Sequence, residues 1–188
     1  MNTDEKIMEN ALEAFAMKGY ENIGVQEICN ASGITKPTLY HYYGSKTGLL
    51  SEIMTEYSKR LVKVISSATQ YQGDLPLTIN KTVRAYFTFA THNKYFYRLL
   101  LNLFFAPPES PFAKISKNYM KEQYLILERL FMLASEDHGN MKRKEKRNAI
   151  TLLGFINSFI GMWMNGEAQL NDDQVFSASH QFMHGIYS

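Results

Sequence analysis

Residues 24–50 read GVQEICNASGITKPTLYHYYGSKTGLL, and the way this stretch punctuates itself decides the fold. A short helix is predicted from about Val25 to Ala31, behind Gly24, a tolerated but weak N-cap. Ser32-Gly33-Ile34 reads as a turn, because glycine enters the left-handed backbone region at little cost. A second short helix opens at Thr35, a good N-cap. Pro37 falls in its first turn, where a missing N–H is harmless. This helix is expected to end near Tyr42. Ile28, Ile34 and Leu39 are spaced to form a small core between the two helices, with Ala31 permitting a close approach. Two helices joined by such a turn make a helix-turn-helix.

The charge pattern of the stretch points to a partner. No acidic residue occurs between Glu27 and Glu52, while Lys36, His41, Lys46 and three tyrosines lie in that window. A short helix free of carboxylates and rich in hydroxyls, aromatics and lysines suits a polyphosphate such as DNA. A recognition helix reads bases with the side chains of its N-terminal half. Thr38 can meet a thymine methyl or a phosphate, and Lys36 and His41 can reach guanine acceptors. Lys46, in the first turn of the next helix, suits a phosphate, reinforced by the free N–H groups there. The plain alternative is a helical hairpin whose tyrosines pack inward.

Outward from this head, composition narrows the classes. A chain of 188 residues that is 45% hydrophobic can bury a substantial core. The net charge of +2 says little. Residues 1–60 hold six Lys/Arg against eight Asp/Glu, so any positive face on the head is local. Cys29 is the only cysteine; no intrachain disulfide is possible, and a small buried filler is the expected role. Asp4, Glu5, Glu9 and Glu13 near the start do not read as a signal peptide. Apolar stretches break well short of the ~18 residues a membrane span requires. A cytoplasmic location is expected.

The remaining segments carry helical periodicity, and none alternates with period two. A first helix is predicted from about Asp4 to Lys18, with Met8, Leu12 and Phe15 on one face, Thr3 as cap and Gly19 as stop. Ser45 caps a long fourth helix running to about Thr69. Residues 72–76, QGDLP, form the clearest break. A fifth helix has Ile79, Val83, Tyr86, Phe87 and Ala90 on one stripe. Asn93 is expected to cap a sixth, ended by Pro107-Pro108. Ser110-Pro111 starts a seventh, and residues 136–140 form a loop. An eighth runs from about Lys144 to Asn165. Asn171 caps a ninth ending near Ile186. The fold class is all-α: a three-helix head carrying the helix-turn-helix and a larger helical body.

The segment Thr35-Lys36-Pro37-Thr38-Leu39-Tyr40-His41-Tyr42-Tyr43, followed by Ser45-Lys46, resembles the recognition segment of the tetracycline-repressor (TetR) family. Ala14-Phe15-x-x-x-Gly19-Tyr20 and Ile28-x-x-x-Ser32-Gly33-Ile34 match the same pattern. The likeness covers roughly residues 4–55. It implies a DNA-binding domain over residues 1–46 and a ligand-binding and dimerisation domain over 47–188. It implies base or phosphate contacts from the segment that Thr35 opens, through Lys36, Pro37, Thr38, Tyr40 and His41. Phosphate contacts from Tyr42 and Lys46, and a base contact from Gln26, are implied too. Three positions depart from the pattern. Tyr43 stands where Phe is usual, so its hydroxyl needs a partner or solvent. Gly24 replaces a Ser/Thr cap. Gly48 replaces an acidic residue at roughly 1 kcal/mol against a good helix former. The last two predict a looser head.

Beyond residue 76 aromatics cluster densely, from Tyr86 and Phe87 through Phe104 and Phe105 to Phe155, Phe159 and Trp163. Aromatic stripes are more often core than pocket, yet these exceed what the body needs, and several methionines add deformable lining. The resemblance implies a pocket between helices four and eight for an apolar or aromatic effector, with Tyr86, His92, Phe96, Asn102, Phe105, Tyr124, Asn157 and Trp163 as candidate lining. His92, Asn102 and Asn157 are expected on otherwise apolar faces. Gly154, Ser158, Gly161 and Asn165 line one face of helix eight; in the TetR family helices eight and nine build the dimer interface, and this stripe is placed for it. The run from Lys142 to Arg147 reads as a solvated helix start rather than a second nucleic-acid site. His180 and His184, four apart, read as a surface or interface pair, since no third metal ligand is near; no metal or cofactor is expected.

The sequence therefore predicts a homodimeric transcriptional regulator, a repressor released from a palindromic operator by a small molecule. Two rivals stand beside it. An enzyme with an aromatic pocket finds no nucleophile–base spacing, metal cluster or phosphate-binding loop to support it. A DNA-binding dimer controlled by a protein partner, or by no ligand, would have a filled body.

Overall fold

The computed structural model describes residues 3–107 and 111–185, with the backbone alone over 111–114. Nine α-helices and no strand occur among them: α1 Thr3–Lys18, α2 Val25–Ser32, α3 Lys36–Tyr43, α4 Lys46–Ala68, α5 Leu75–His92, α6 Lys94–Phe104, α7 Pro111–Asp137, α8 Glu145–Met164 and α9 Asp172–His184. A short 3-10 turn, Gly139–Met141, sits in the expected loop before α8. Pro108, Ser110 and Ile186 lie outside the described residues.

Most boundaries follow from local chemistry. Ser45 caps α4 by accepting the Gly48 N–H at 2.9 Å, and Asn171 caps α9 through Gln174 at 2.9 Å. Gly33 takes φ +68° behind α2, so the N–H groups of Gly33 and Ile34 close back onto Asn30 and Cys29. Two further residues act at the ends of α5. Asp74 caps α5, accepting the Leu77 N–H at 2.9 Å. Asn93, expected to cap α6, donates its amide back to Phe89 O at 2.9 Å and so also closes the end of α5.

The helices gather into two compact units. The first comprises Met1–Lys59 and Lys94–Lys117, and so joins α6 to the helix-turn-helix. Here α1 packs on α2 and along α6. Ile7, Phe15, Ile28, Leu39, Leu49 and Ile53 are wholly buried, each stabilising the unit by about 1.5–3 kcal/mol relative to exposure. From α6, Phe96 and Tyr97 are buried, and Tyr57 of α4 stacks on Phe96 at 5.2 Å. Ser116 donates to Leu103 O at 3.1 Å, and Tyr95 to Glu13 at 2.7 Å.

The second unit comprises Arg60–Asn93 and Asn118–Ser188. In it α5 packs against α9 and α8. Aromatic rings join the helices: Phe87 meets Phe159, Phe159 meets Phe155, and Phe182 touches both Phe155 and Phe131. Arg84 pairs with Asp172, and Tyr71 donates to Asp137 at 2.8 Å. Much of the aromatic excess is therefore core. The basic side chains Lys142, Arg143, Lys144, Lys146 and Arg147 are all exposed, as expected of a solvated helix start. Among the described residues no helix is long and apolar enough to cross a membrane.

Candidate DNA-binding site

The helix-turn-helix is held from beneath. Ile28 and Leu39 are buried, and Ile34 is half-buried between them. Ala31, expected at the close approach, is instead exposed; its carbonyl accepts the Asn10 amide of α1 at 3.3 Å. The same amide reaches the buried Ser32 hydroxyl at 3.3 Å, so α1 grips the turn through polar groups. Cys29 is wholly buried, as a filler should be.

With Leu39 turned inward, α3 presents its other faces to solvent. Lys36, Pro37, His41, Tyr40 and Tyr42 are exposed, the two tyrosines by 46% and 48%. The α3 segment carries no acidic side chain, and Lys18 neutralises Glu27, the nearest upstream acid, at 2.5 Å. His41 and Tyr42 meet edge to face at 5.7 Å. Thr35 serves as the cap: its hydroxyl accepts the Thr38 N–H at 3.4 Å and shares a 2.9 Å hydrogen bond with the Thr38 hydroxyl. Thr38 is half-buried, so its methyl and one remaining hydroxyl valence are what it can offer a base. Gln26 is exposed on α2, its amide donating to Asn30 at 2.9 Å.

Lys46, expected at a phosphate, has a partner within the head. Its ammonium donates to Tyr20 O at 2.5 Å and lies over the Tyr20 ring at 4.0 Å. Burial there holds the ammonium below the usual lysine range, and the charge of Glu21 opposes the shift. The side chain thus ties α4 to the α1–α2 turn, reinforced by the Tyr20–Thr47 hydroxyl contact at 3.1 Å.

The departures at Tyr43 and Gly48 have structural answers. The Tyr43 hydroxyl donates to the Asp4 carboxylate, and Asp4 O lies at 3.2 Å. At Gly48, an added Cβ would fall deep inside van der Waals contact of the Tyr43 carbonyl oxygen and 3.2 Å from its carbon. The glycine expected to loosen the head is what lets α3 turn so tightly into α4, through Gly44 at φ +68°. Lys6, which the sequence did not mark, lies beside the turn: its Nζ is 3.7 Å from where a Gly33 Cβ would sit. Only the tertiary fold brings α1 there.

The expected effector residues are scattered in environment. Tyr86 is wholly buried, and its hydroxyl has no hydrogen-bond partner among the described residues. Phe96 is buried in the first unit; Tyr124, Asn157 and Trp163 are half-buried in the second. His92 and Asn102 are exposed rather than set on apolar faces, and Phe105 is 78% exposed. Helix amphipathicity misplaced both polar residues because each stands at the end of its helix, where the buried stripe runs out. His92 lines an open groove of about 730 Å³ with Val64, Ala85, Thr88 and Phe89. On α8, Gly154, Ser158 and Asn165 are exposed and Gly161 is half-buried; a Cβ at either glycine would meet open space.

Residues 7–53, the span that holds this architecture, match the family profile described as "Bacterial regulatory proteins, tetR family". The chain is 24% identical over 176 residues to the HTH-type transcriptional activator FasR of Mycolicibacterium smegmatis, covering 93% of this chain and 78% of that one. The TetR family regulator PfmR from Thermus thermophilus has the same fold, with a TM-score of 0.82, 22% identity, and coverage of 100% of this chain and 99% of that one. The regulator FadR from Bacillus subtilis, solved in complex with stearoyl-CoA, superposes with a TM-score of 0.82 at 16% identity, covering 97% and 99%. These are transcriptional regulators rather than enzymes. Residues 7–53 of the chain thus carry the DNA-binding domain of the TetR family of bacterial regulatory proteins.

Proposed function

We propose that this protein is a homodimeric repressor that reads a palindromic operator through α3 and leaves it when a small, largely apolar molecule enters the second unit. The exposed, acid-free surface of α3 carries the reading: Lys36, Pro37, Tyr40, His41 and Tyr42 stand outward over a buried Leu39. Lys36, Pro37, Thr38, Tyr40 and His41 contact bases or phosphates, Gln26 adds a base contact from α2, and Tyr42 takes a phosphate. Thr35 and Lys46 contribute by holding the ends of α3 and α4 in place. A single eight-residue helix buries too little surface for specificity, so two copies enter successive major grooves roughly 34–36 Å apart.

The dimer reading rests on α8 and α9. Gly154 and Gly161 open onto free space, while Ile150, Met162 and Phe176 are exposed by 61%, 44% and 65%. Together with Ser158 and Asn165 they make an apolar, small-residue surface of the kind a second copy covers. The effector reading rests on Tyr86. A buried hydroxyl without a partner costs about 1–3 kcal/mol, and a ligand polar group removes that cost. FadR's stearoyl-CoA makes a long-chain acyl compound the first effector to try. Such a ligand acts by its differential affinity for two conformers, typically ~1–3 kcal/mol of coupling. A protein with these functions works beside the chromosome, in the cytoplasm.

Selection of bound fragments from the source genome tests the proposal. The expected result is a palindromic site bound at nanomolar concentrations and released by an acyl compound. Enrichment of no site, with weak and steeply salt-dependent binding alone, overturns it. A tight operator complex that no small molecule releases favours control by a protein partner.

A further inference from the structure

Helix α9 carries a feature that operator binding does not use. His180 and His184 are both exposed, and their rings lie with centroids 4.3 Å apart at an interplanar angle of 35°. Phe176, one turn earlier on the same face and 65% exposed, lies alongside His180 at 6.1 Å. Positions i and i+4 of a helix stand one above the other, and a His-x3-His pair is the spacing by which a helix chelates zinc. A tetrahedral ion with Zn–N bonds of about 2.0–2.1 Å needs its two ligating nitrogens roughly 3.3 Å apart. Rings already lying tilted at 4.3 Å reach that separation by small rotations about their own side-chain bonds. His184 is also the last residue of α9, where unpaired carbonyls give the helix end a partial negative charge that favours a cation.

Within one chain the site is incomplete. Among the described residues no group of three or more His, Cys, Asp or Glu is placed to hold a metal. Two imidazoles satisfy half of a tetrahedral shell. From this we infer that His180 and His184 form a half-site for a divalent transition metal, zinc foremost, and that a second copy of the chain completes it with the same two residues. The inference rests on the dimer reading above. A two-fold axis brings identical faces together, so a pair of ligands on one protomer becomes four across the interface. Phe176 extends the same face with apolar surface, which excludes water beside the ligands and strengthens their hold on the ion. The metal then links the two α9 helices and holds the second units of the two protomers together. Imidazolium nitrogens do not ligate, so acid releases the ion.

The test uses the purified full chain, stripped by chelator and dialysed against zinc chloride, with bound zinc measured by elemental analysis and the association state by sedimentation. Cobalt(II) serves as the spectroscopic probe, because a tetrahedral nitrogen shell gives it intense visible absorption. The expected result is one zinc per two chains, a tetrahedral cobalt spectrum, and a dimer that withstands greater dilution with zinc than without. His180→Gln and His184→Gln each weaken zinc binding by roughly tenfold or more. Both side chains are exposed, so equal thermal melting of variant and parent without metal confirms that the fold is kept. A metal-free dimer that takes up no zinc overturns the site and leaves the dimer reading intact. One zinc per chain with no effect on association overturns the shared site. A monomer at all zinc concentrations overturns both.

Discussion

The hydroxyl of Tyr43, at the end of α3, donates to the carboxylate of Asp4, in the first turn of α1. The two residues are 39 positions apart, and their bond closes the recognition helix onto the helix that supports it. Replacing Tyr43 by Phe keeps the ring and removes the bond. A hydrogen bond to a charged group contributes about 1.5–3 kcal/mol when buried, and less here because both partners are only half-buried. Tyr43→Phe is expected to lower Tm by a few degrees, at roughly 2–4 °C per kcal/mol for a chain of this size. An unchanged Tm in calorimetry would show that the hydroxyl is equally well served by water.

Gly48 separates two physical arguments of opposite sign. Helix propensity says Gly48→Ala should stabilise α4 by roughly 1 kcal/mol. Sterics say the new Cβ collides with the Tyr43 carbonyl, a backbone atom with no freedom to retreat. Sterics are expected to win. Gly48→Ala should destabilise the protein and weaken operator binding, because the corner between α3 and α4 must open. A rise in Tm would mean that the corner relaxes without cost.

Lys36 and Lys46 should fail differently. Lys36 is exposed and free to neutralise a phosphate or read a base, so Lys36→Ala should reduce the salt slope of operator binding by about one for each protomer bound. The Lys46 ammonium commits one of its three N–H donors to Tyr20 O and is half-buried. Lys46→Ala should lower Tm as well as affinity, with little change in salt slope. Salt titrations of both variants, read beside their melting curves, decide this; identical slopes would return Lys46 to the phosphate contacts.

Alkaline pH should unfold the protein earlier than its charge alone suggests. Burial raises the pKa of Tyr20, Tyr43 and Tyr86 above 10.0, and the Asp4 carboxylate adds to the rise at Tyr43. Below pH 10 these tyrosines are neutral in both states and contribute in full. Above it the unfolded chain loses protons that the folded chain keeps, so stability falls as pH rises. Melting temperature followed from pH 8 to pH 11, with tyrosinate absorbance, should show the decline begin near the ordinary tyrosine pKa of about 10. Tyr43→Phe should make it shallower.

Tyr86→Phe tests the effector site. Removing a buried hydroxyl that has no partner among the described residues should leave the effector-free protein as stable or raise its stability by about 1 kcal/mol. The same change should blunt release from the operator by any effector that bonds the hydroxyl. A marked loss of stability would reveal a partner for that hydroxyl in the native protein.

The sequence by itself determined everything that acts over a few residues. Gly33 demanded a left-handed turn, Thr35 and Pro37 started α3, Asn171 started α9, and the 3.6-residue rhythm placed Ile28 and Leu39 inward. Such signals are local because a cap or a glycine works on the backbone within one turn. The Asn93 amide adds a bond back to the helix before it, which the cap reading alone did not include.

Only the tertiary structure decided which distant groups meet. It tied Lys46 to Tyr20 O, gave Tyr43 its acceptor in Asp4, set the Tyr43 carbonyl against Gly48, and grouped α6 with α1. It also left the Tyr86 hydroxyl buried without a hydrogen-bond partner among the described residues. Each of these depends on helix crossing angles or on the side-chain rotamers that packing selects. Periodicity along the chain reports which face of a helix is buried, but not which atoms lie against it.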